Sequence, residues 1–287
     1  MGRALSRSVP SRTPHPDLSV EPSIGGEGTA LSVIVPCYRT GEGICDGVER
    51  LVAALDKTGV SWEVVLVVDG CPETFRYARS MESARVHVVG YEQNRGKGFA
   101  LRYGLAIASG EVVTFVDADM QIAPEEIGRM VRLRELYDAD IVVGSKRHPM
   151  SRVDYPMPRR IQSWAYQLLV RLLFHVKVRD TQTGLKVLRR EVAADVLDVA
   201  LVKRFAFDLE LLAVATRFGH TRITEAPVEI ARAFSTTTSL RAVGSVMQDT
   251  LAIFYRMHIL HYYDRRDGSG LRALRAGTPS LLSGDGR

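Results

Sequence analysis

Cysteine is scarce in this 287-residue chain: there are three, at positions 37, 45 and 71, and no C-x-x-C pair. That excludes a disulfide framework and a structural zinc site. Long apolar runs are missing too. The longest charge-free one, Ile161–Val170, stops at Arg171, well short of the roughly 18–20 residues that cross a bilayer. The opening MGRALSRSVPSRTPHP has no apolar core of a secretory signal. It does match the loose lipidation pattern M-G-x-x-x-[ST], which short sequences often meet by chance. The seven histidines show no HExxH or other metal spacing and read as core or surface residues. His258 and His261 stand apart, in a basic-aromatic stretch. An excess of one charge is nearly lacking as well: 38 Lys+Arg face 33 Asp+Glu, a net charge of +5. This suits phosphate-bearing partners or an anionic membrane surface without proving either. The basic residues are dispersed and no nucleic-acid module appears, so nucleic acid is not an expected partner. At 46% apolar and 25% charged residues, a disordered or collagenous chain is excluded and a sizeable core is within reach.

Residues 1–28 are rich in Ser, Pro, Gly and Arg and read as a disordered leader; residues 264–287 read as a polar tail. Between them β-rich runs alternate with helical patterns. Strands are predicted at Leu31–Val35, Glu63–Val68, Arg85–Val89, Glu111–Val116 and Asp140–Val143. Helices are predicted over Asp46–Lys57, Lys97–Ala108 and Pro124–Leu136. Near-continuous Val/Ile strands with helices between them imply an α/β fold, a mostly parallel sheet flanked by helices. Such sheets bind ligands outside the carboxyl ends of their strands. Polar residues that follow strands are therefore the candidates.

The sharpest of these is Asp117-Ala118-Asp119, with Gln121 behind it, after the apolar EVVTFV. Alternation along an extended segment would point both carboxylates one way. Two such carboxylates form a hard oxygen site for Mg²⁺ or Mn²⁺, completed by water and substrate phosphate. The bland alternative is a strand end that caps the next helix. Asp69 ends an earlier strand and either accepts from a ribose or base edge or closes an Asx turn in DGCP. Asn94-Arg95-Gly96-Lys97-Gly98 precedes a helix, where glycines and a Lys favour phosphate approach. Gly98 stands where a Walker A loop needs Ser or Thr. Gly41, Gly43 and Gly47 imitate a dinucleotide fingerprint, but Pro36-Cys-Tyr-Arg-Thr separates the strand from the first glycine. Lys146-Arg147 and Arg159-Arg160 add cations that a diphosphate and an anionic acceptor would need. Asp208 and Glu210, in RFAFDLELLAVA, are a base, a metal-side acid or a structural anchor. Two amphipathic stretches, Ile161–Val178 and Val243–Tyr263, carry basic and aromatic flanks suited to a membrane interface, or bury their stripes in the protein's own core.

The order SVIVPCY, VVLVVDG, NRGKGFALRYGLAIASGEVVTFVDADMQIAPEEI, VVGSKR, MPRRIQSWAYQLLVRLLF, RDTQTGLKVLRR, FAFDLELL and TEAPVEI resembles family 2 glycosyltransferases of the GT-A fold. It is most similar to the dolichyl- and polyprenyl-phosphate glucosyl- and mannosyltransferases, over about residues 30–260. The resemblance implies a GT-A (Rossmann-like) domain over 29–240, an amphipathic helix over 241–263 against the domain or a membrane, and a metal-dependent inverting transfer. The donor would be UDP-glucose or GDP-mannose and the acceptor a polyprenyl phosphate. Carried over, Pro36 and Tyr38 lie at the nucleotide base, Asp69 beside it, and Lys97 near the nucleotide sugar. Asp117, Asp119 and Gln121 hold the metal; Lys146, Arg147 and Arg159 meet phosphates. Asp180, Gly184 and Lys186 shape the sugar and acceptor pocket, and Asp119, Arg159, Lys186 and Asp208 make up the catalytic set. The family's P-x-Y-N-E is here Pro36-Cys-Tyr-Arg39-Thr40, its Asp-Asp is Asp69-Gly70, and its later G-x-S-K becomes FSTTTSL with Arg241 nearby. The implied location is cytoplasmic, peripheral at the membrane face or held by a membrane-anchored partner. A soluble or carbohydrate acceptor, or a degenerate nucleotide-sugar scaffold, is the competing reading.

Overall fold

The computed structural model describes residues 28–151, 157–202, 206–230 and 240–264, with side chains left out at 157–163 and 240–243. The expected leader (1–28, save its last residue) and tail (264–287, save its first), the lipidation pattern, and the side chains of Arg159 and Arg241 lie outside these. Strands β1 (Leu31–Cys37), β2 (Trp62–Asp69), β3 (Val86–Tyr91), β4 (Val112–Phe115), β5 (Ile141–Ser145), β6 (Lys186–Arg189) and β7 (Ile223–Pro227) form one sheet. Its order is β3-β2-β1-β4-β6-β5-β7. The pairs β1–β2, β1–β4, β2–β3 and β5–β7 are parallel. Among the described strands only β6 runs antiparallel, to β4 and β5. The helices are α1 (Gly43–Asp56), α2 (Pro72–Arg79), α3 (Lys97–Ile107), α4 (Glu126–Leu136), α5 (Met157–Phe174), α6 (Arg190–Val199), α7 (Phe207–Arg217) and α8 (Leu240–His258).

The period-2 alternation of strands splits the core into two layers. Val33, Val35, Val64, Leu66 and Val68 face α1 and α4. Ile34, Val65 and Val67 face α3, with α6, α7 and the ends of α5 and α8 behind. Both faces of the sheet are covered, so its central strands carry no polar alternation. The expected strands and helices fall where the runs place them, with ends shifted by a few residues. Strands β6 and β7 and helices α2 and α6 had no separate signal: KVLR and ITEAP are short and carry charge.

Antiparallel β6 has a consequence for the site. It begins where β4 ends, with Lys186 opposite Phe115, so a lysine stands at the carboxyl end of a parallel strand. At the far end of the sheet, Arg222 pairs with Asp138 and Asp140, and Arg189 with Asp138. Burial tends to raise the Asp140 carboxyl, but Arg222 outweighs it and holds it below the ordinary range. These pairs tie β5, β6 and β7 together away from the ligand edge.

α3 packs tightly on β1. A Cβ at Gly104 would lie 2.4 Å from Ile34 Cγ2 and 3.1 Å from Val67 Cγ2. Overpacking costs about 1–3 kcal/mol, against up to ~1 kcal/mol gained by replacing a helical glycine. Gly104→Ala is therefore expected to lower the urea midpoint; an unchanged or raised midpoint would contradict this packing.

Candidate active site

The carboxyl ends of β1, β2 and β4 and the start of β6 converge on one edge of the sheet. Here Asp117 and Asp119 do not continue a strand, as the alternation argument supposed. β4 stops at Phe115, and the Met120 N–H donates to the Asp117 carbonyl at 3.0 Å, closing a turn. Met120 takes φ +47° there, an uncommon backbone for a side-chain-bearing residue. The turn still gathers the expected groups: Asp117, Asp119, Gln121, Lys146 and Gly184 line a common hollow. The Gln121 N–H donates to Asp119 Oδ1 at 3.2 Å, and Lys146 Nζ donates to Gln121 Oε1 at 3.3 Å. Partial burial and the like charge of Asp117 push the Asp119 carboxyl above its ordinary range, against smaller opposing effects of the Gln121 amide and of Lys146 and Lys97.

Two glycines make the turn possible. A Cβ on Gly184 would stand 1.7 Å from Asp117 Oδ2, so only glycine leaves that carboxylate its place. Gly47 of α1 faces the other side, where a Cβ would lie 3.2 Å from Met120 Cγ. Of the glycines that imitate a dinucleotide fingerprint, Gly47 thus serves helix packing behind Asp117-Ala118-Asp119, while Gly41 and Gly43 have nothing within 4 Å of an added Cβ. Neither role was legible without the fold.

Behind the hollow runs a line of alternating charge. Lys97 Nζ lies 2.9 Å from Asp117 Oδ1 and 2.9 Å from Asp208 Oδ2. Lys186 Nζ lies 2.7 Å from Asp208 Oδ1 and also donates to the Thr183 carbonyl. Lys186 is fully buried and Asp208 nearly so. Burial opposes charge on Asp208, but Lys186 and Lys97 outweigh it and hold the carboxyl below its ordinary range. Burial likewise tends to lower Lys97, and Asp117 and Asp208 overcome it and raise it. The first turn of α7 adds a favourable dipole for an acid.

Glu210, two residues on, faces away from this line. Its carboxylate accepts from the Leu201 and Val202 N–H groups, from Tyr263 Oη at 2.5 Å and from Arg256 at 3.4 Å. Of the readings open for this acid, the anchor is the one the geometry matches: neither Glu210 nor these partners line the hollow. Burial raises its pKa despite these donors.

The remaining expected residues are placed as follows. Asp69 is buried; it accepts from the N–H groups of Arg95 at 2.6 Å and Gly96 at 2.8 Å and from Asn94 Nδ2 at 2.9 Å. It thereby fixes the loop before α3. A carboxylate offers about four acceptor positions, so one remains. Gly70, at φ +64°, would bring a Cβ within 2.2 Å of the Asn94 nitrogen; the backbone crossing accounts for glycine where the family has a second Asp. Pro36 is half-buried in β1. Tyr38 is 43% exposed just beyond, with the Arg39 guanidinium 5.0 Å from its ring centroid. Asp180 accepts from the Lys146 N–H at 3.1 Å and the Gln182 N–H at 3.3 Å. Lys146 and Arg147 part company: the first lines the Asp117/Asp119 hollow, the second another hollow beneath α5. His258 packs on α5, its Nε2 3.2 Å from the Leu173 carbonyl oxygen.

Among the described residues, no three of His, Cys, Asp and Glu gather as a metal-holding group. Two hard carboxylates and an amide oxygen lining one hollow fit a divalent cation that takes its other ligands from diphosphate and water. Among the described residues, no helix is long and apolar enough to cross a membrane.

Replacing Asp208 by Asn strands the buried Lys186 ammonium, a loss of about 3–5 kcal/mol. Because the Asp208 carboxyl is depressed in the folded state, the charge adds stability above the unfolded carboxylate pKa, about 3.9, and loses it as pH falls through the folded value. Urea unfolding of wild type and Asp208→Asn is expected to show the full gap at neutral pH and a narrowing one in acid. Equal stabilities at neutral pH would contradict the ion-pair account.

The Glycosyl transferase family 2 model matches residues 32–197. Human dolichyl-phosphate beta-glucosyltransferase is 30% identical over 215 residues, covering 69% of this chain and 66% of its own. Dodecaprenyl-phosphate galacturonate synthase of Rhizobium johnstonii is 30% identical over 179 residues, 61% of this chain and 52% of its own. The chain thus spans no more than about two thirds of either relative. Among solved structures, glucosyl-3-phosphoglycerate synthase from Mycobacterium tuberculosis, in complex with Mn²⁺, UDP-glucose and phosphoglyceric acid, superposes with a TM-score of 0.60 at 21% identity, over 84% of this chain and 81% of that one. That likeness bears on the fold, which is GT-A. By the matched family model, supported by these relatives, the chain belongs to glycosyltransferase family 2.

Proposed function

We propose that this protein moves a hexose, with inversion, from a nucleotide sugar to a polyprenyl phosphate. Glucose is the favoured sugar, from the dolichyl-phosphate beta-glucosyltransferases among the relatives, and UDP the favoured nucleotide, after the complex of the structural neighbour; GDP-mannose is the alternative. One observation carries the choice of acceptor: the acids behind the turn are already engaged. Asp208 is clamped between two ammonium groups, and Glu210, Asp180 and Asp69 accept from backbone N–H groups. Held below its ordinary range by the two lysines, the Asp208 carboxylate is a poor proton acceptor. A sugar hydroxyl would need such a base, whereas a phosphomonoester, with a second pKa of about 6, arrives deprotonated.

In this reading Tyr38 and Pro36 receive the base and Asp69 its polar edge. Asp117, Asp119 and Gln121 hold Mg²⁺ or Mn²⁺ on the diphosphate. Bound there, the ion neutralises charge on the departing nucleoside diphosphate. Lys97 and Lys186, fixed by Asp208, keep positive charge behind Asp117, while Lys146 and Arg159 orient donor and acceptor phosphates; Arg147, turned into the neighbouring hollow, takes no part in this. An acceptor phosphate oxygen forms the new bond to the anomeric carbon as the bond to the diphosphate oxygen breaks. The electron pair leaves with the nucleotide, and no proton need move.

The test is transfer of labelled glucose or mannose from its nucleotide to detergent-dispersed polyprenyl phosphate, read in the organic phase. Label is expected from one donor, lost with EDTA, and lowered about 10²–10³-fold in Asp119→Ala. Donor binding without lipid-soluble label from either donor would contradict the acceptor; no donor binding would favour a degenerate scaffold.

Gly184→Ala separates site from fold. The three atoms nearest the added Cβ all belong to the movable carboxylate of Asp117, so stability should stay within about 1 kcal/mol while Mn²⁺-dependent donor binding, read by calorimetry, weakens at least about tenfold. Unchanged binding would remove Asp117 from the metal site.

A further inference from the structure

A second hollow, of about 210 Å³, lies beside the reaction site. It is lined by Arg147, Trp164, Gln167, Leu168, Arg171 and Arg179. The three guanidinium-bearing residues come from three segments: the stretch after β5, the exposed face of α5, and the stretch before β6. Arg179 is tethered at the rim, its N–H donating to Glu225 Oε1 at 2.8 Å and its Nε 4.0 Å from Glu225 Oε2.

One group inside is left wanting. Gln167 is only 6% exposed, and its Nε2 donates to Thr181 Oγ1 at 3.3 Å. Its Oε1 is buried without any hydrogen-bond partner. A buried acceptor of this kind is unfavourable unless a donor reaches it. An apolar ridge adjoins the hollow: Trp164 and Leu168 line the hollow, and Leu172 continues the row along α5. Trp164, Leu168 and Leu172, at helical spacing on α5, are 60%, 44% and 68% exposed. Arginines around a pocket, a buried acceptor within it and an exposed apolar ridge beside it describe an amphiphile: a phosphate with a hydroxyl donor on one side and hydrocarbon on the other.

We infer that this hollow receives the headgroup of an anionic glycerophospholipid of the bilayer, of the phosphatidylglycerol type, and seats α5 on the membrane surface. The phosphate meets Arg147, Arg171 and Arg179, whose planar forks suit phosphate oxygens. A headgroup hydroxyl donates to Gln167 Oε1. Trp164, Leu168 and Leu172 enter the interfacial layer, where aromatic and aliphatic side chains on a basic helix settle. A free phosphate would use the cations and leave the ridge unused. The lipid here is not the acceptor, because the transferred sugar must sit at the Asp117/Asp119 hollow, which Lys146 lines. The two hollows are neighbours through consecutive residues, Lys146 and Arg147, so a headgroup held in the second would bring the first to the bilayer, where a polyprenyl phosphate lives. The purpose of the contact rests on the proposed transfer reaction; its geometry does not.

The test uses the full chain and vesicles free of polyprenyl phosphate. Co-sedimentation is compared for phosphatidylcholine vesicles and for the same vesicles carrying phosphatidylglycerol or phosphatidylmethanol, which has the same charge but no hydroxyl. Cations near an anionic surface contribute about 1 kcal/mol each, so phosphatidylglycerol should tighten binding on the order of a hundredfold, and Arg171→Ala/Arg179→Ala should lose most of that. Phosphatidylglycerol should outbind phosphatidylmethanol about fivefold, one hydrogen bond's worth, and Gln167→Leu should erase that preference. Thermal unfolding checks that the variants fold. With detergent-dispersed acceptor, the double arginine variant should transfer sugar like wild type. Equal binding to all vesicles, arginine variants that bind like wild type, or no preference for the hydroxyl would each overturn the inference. Vesicle binding of this pattern without sugar transfer would instead count against the proposed reaction and leave the lipid site standing.

Discussion

Asp208 held between two lysines is the constraint on which the site depends. Its carboxylate takes one ammonium on each oxygen, Lys186 at 2.7 Å and Lys97 at 2.9 Å, and Lys97 passes the charge on to Asp117. The line Lys186–Asp208–Lys97–Asp117 joins β6, α7, α3 and the turn after β4. Each member is partly or wholly withdrawn from water and tolerable only because its neighbour carries the opposite charge. In the proposed reaction the arrangement serves as electrostatic support rather than acid–base machinery: the two lysines hold Asp208 ionised, and positive charge stays fixed behind the turn. Preorganised charge of this kind needs no rearrangement when a diphosphate departs.

The fold supplies that line by one topological choice. A wholly parallel sheet would put the start of every strand at the opposite end from the ligand edge. Because β6 runs against its neighbours, its first residue, Lys186, and the glycine two before it reach the carboxyl end of β4. Gly184 then leaves room for Asp117, and Gly47 leaves room on the other side for Met120. The turn that carries Asp117 and Asp119 is clasped between α1 and the approach to β6, which holds Met120 in a backbone conformation it would otherwise avoid. Glu210 supports the assembly from behind. It ties Leu201 and Val202 to α7 and Tyr263, and the Val202 carbonyl in turn packs on Gly98, beside Lys97.

Much of this was legible in the sequence, for physical reasons that can be named. Unbroken, β-branched Val/Ile runs such as EVVLVV read as strands buried on both faces, so β1 to β5, the ligand edge and the placement of Asp69, Asp117 and Asp119 along it followed. The α1, α3 and α4 periodicities were equally plain. Strand β6 was not, because KVLR is four residues long and opens with a lysine that no local rule would bury. The turn at Asp117–Met120 was not, because a strand pattern gives no warning of where its last pair lies. Asp208 and Glu210 looked alike, adjacent acids in one apolar helix. Two residues apart on a helix they face different ways, and only the positions of Lys97, Lys186 and Tyr263 decide which is which. The role of Gly184 depends on a side chain 67 positions away. The hollow under α5 showed only as a basic, aromatic helix.

The central claim is that the acceptor brings its own negative charge and the protein supplies no base. The most direct measurement is the pH dependence of kcat/KM for transfer to a polyprenyl phosphate and to its phosphonate isostere, whose second ionisation lies higher. The account predicts that the acidic limb follows the acceptor, near the phosphate's second pKa of about 6 for the natural group and shifted upward for the isostere. An acidic limb that stays in place when the acceptor is changed would report a titrating group on the protein and contradict the account.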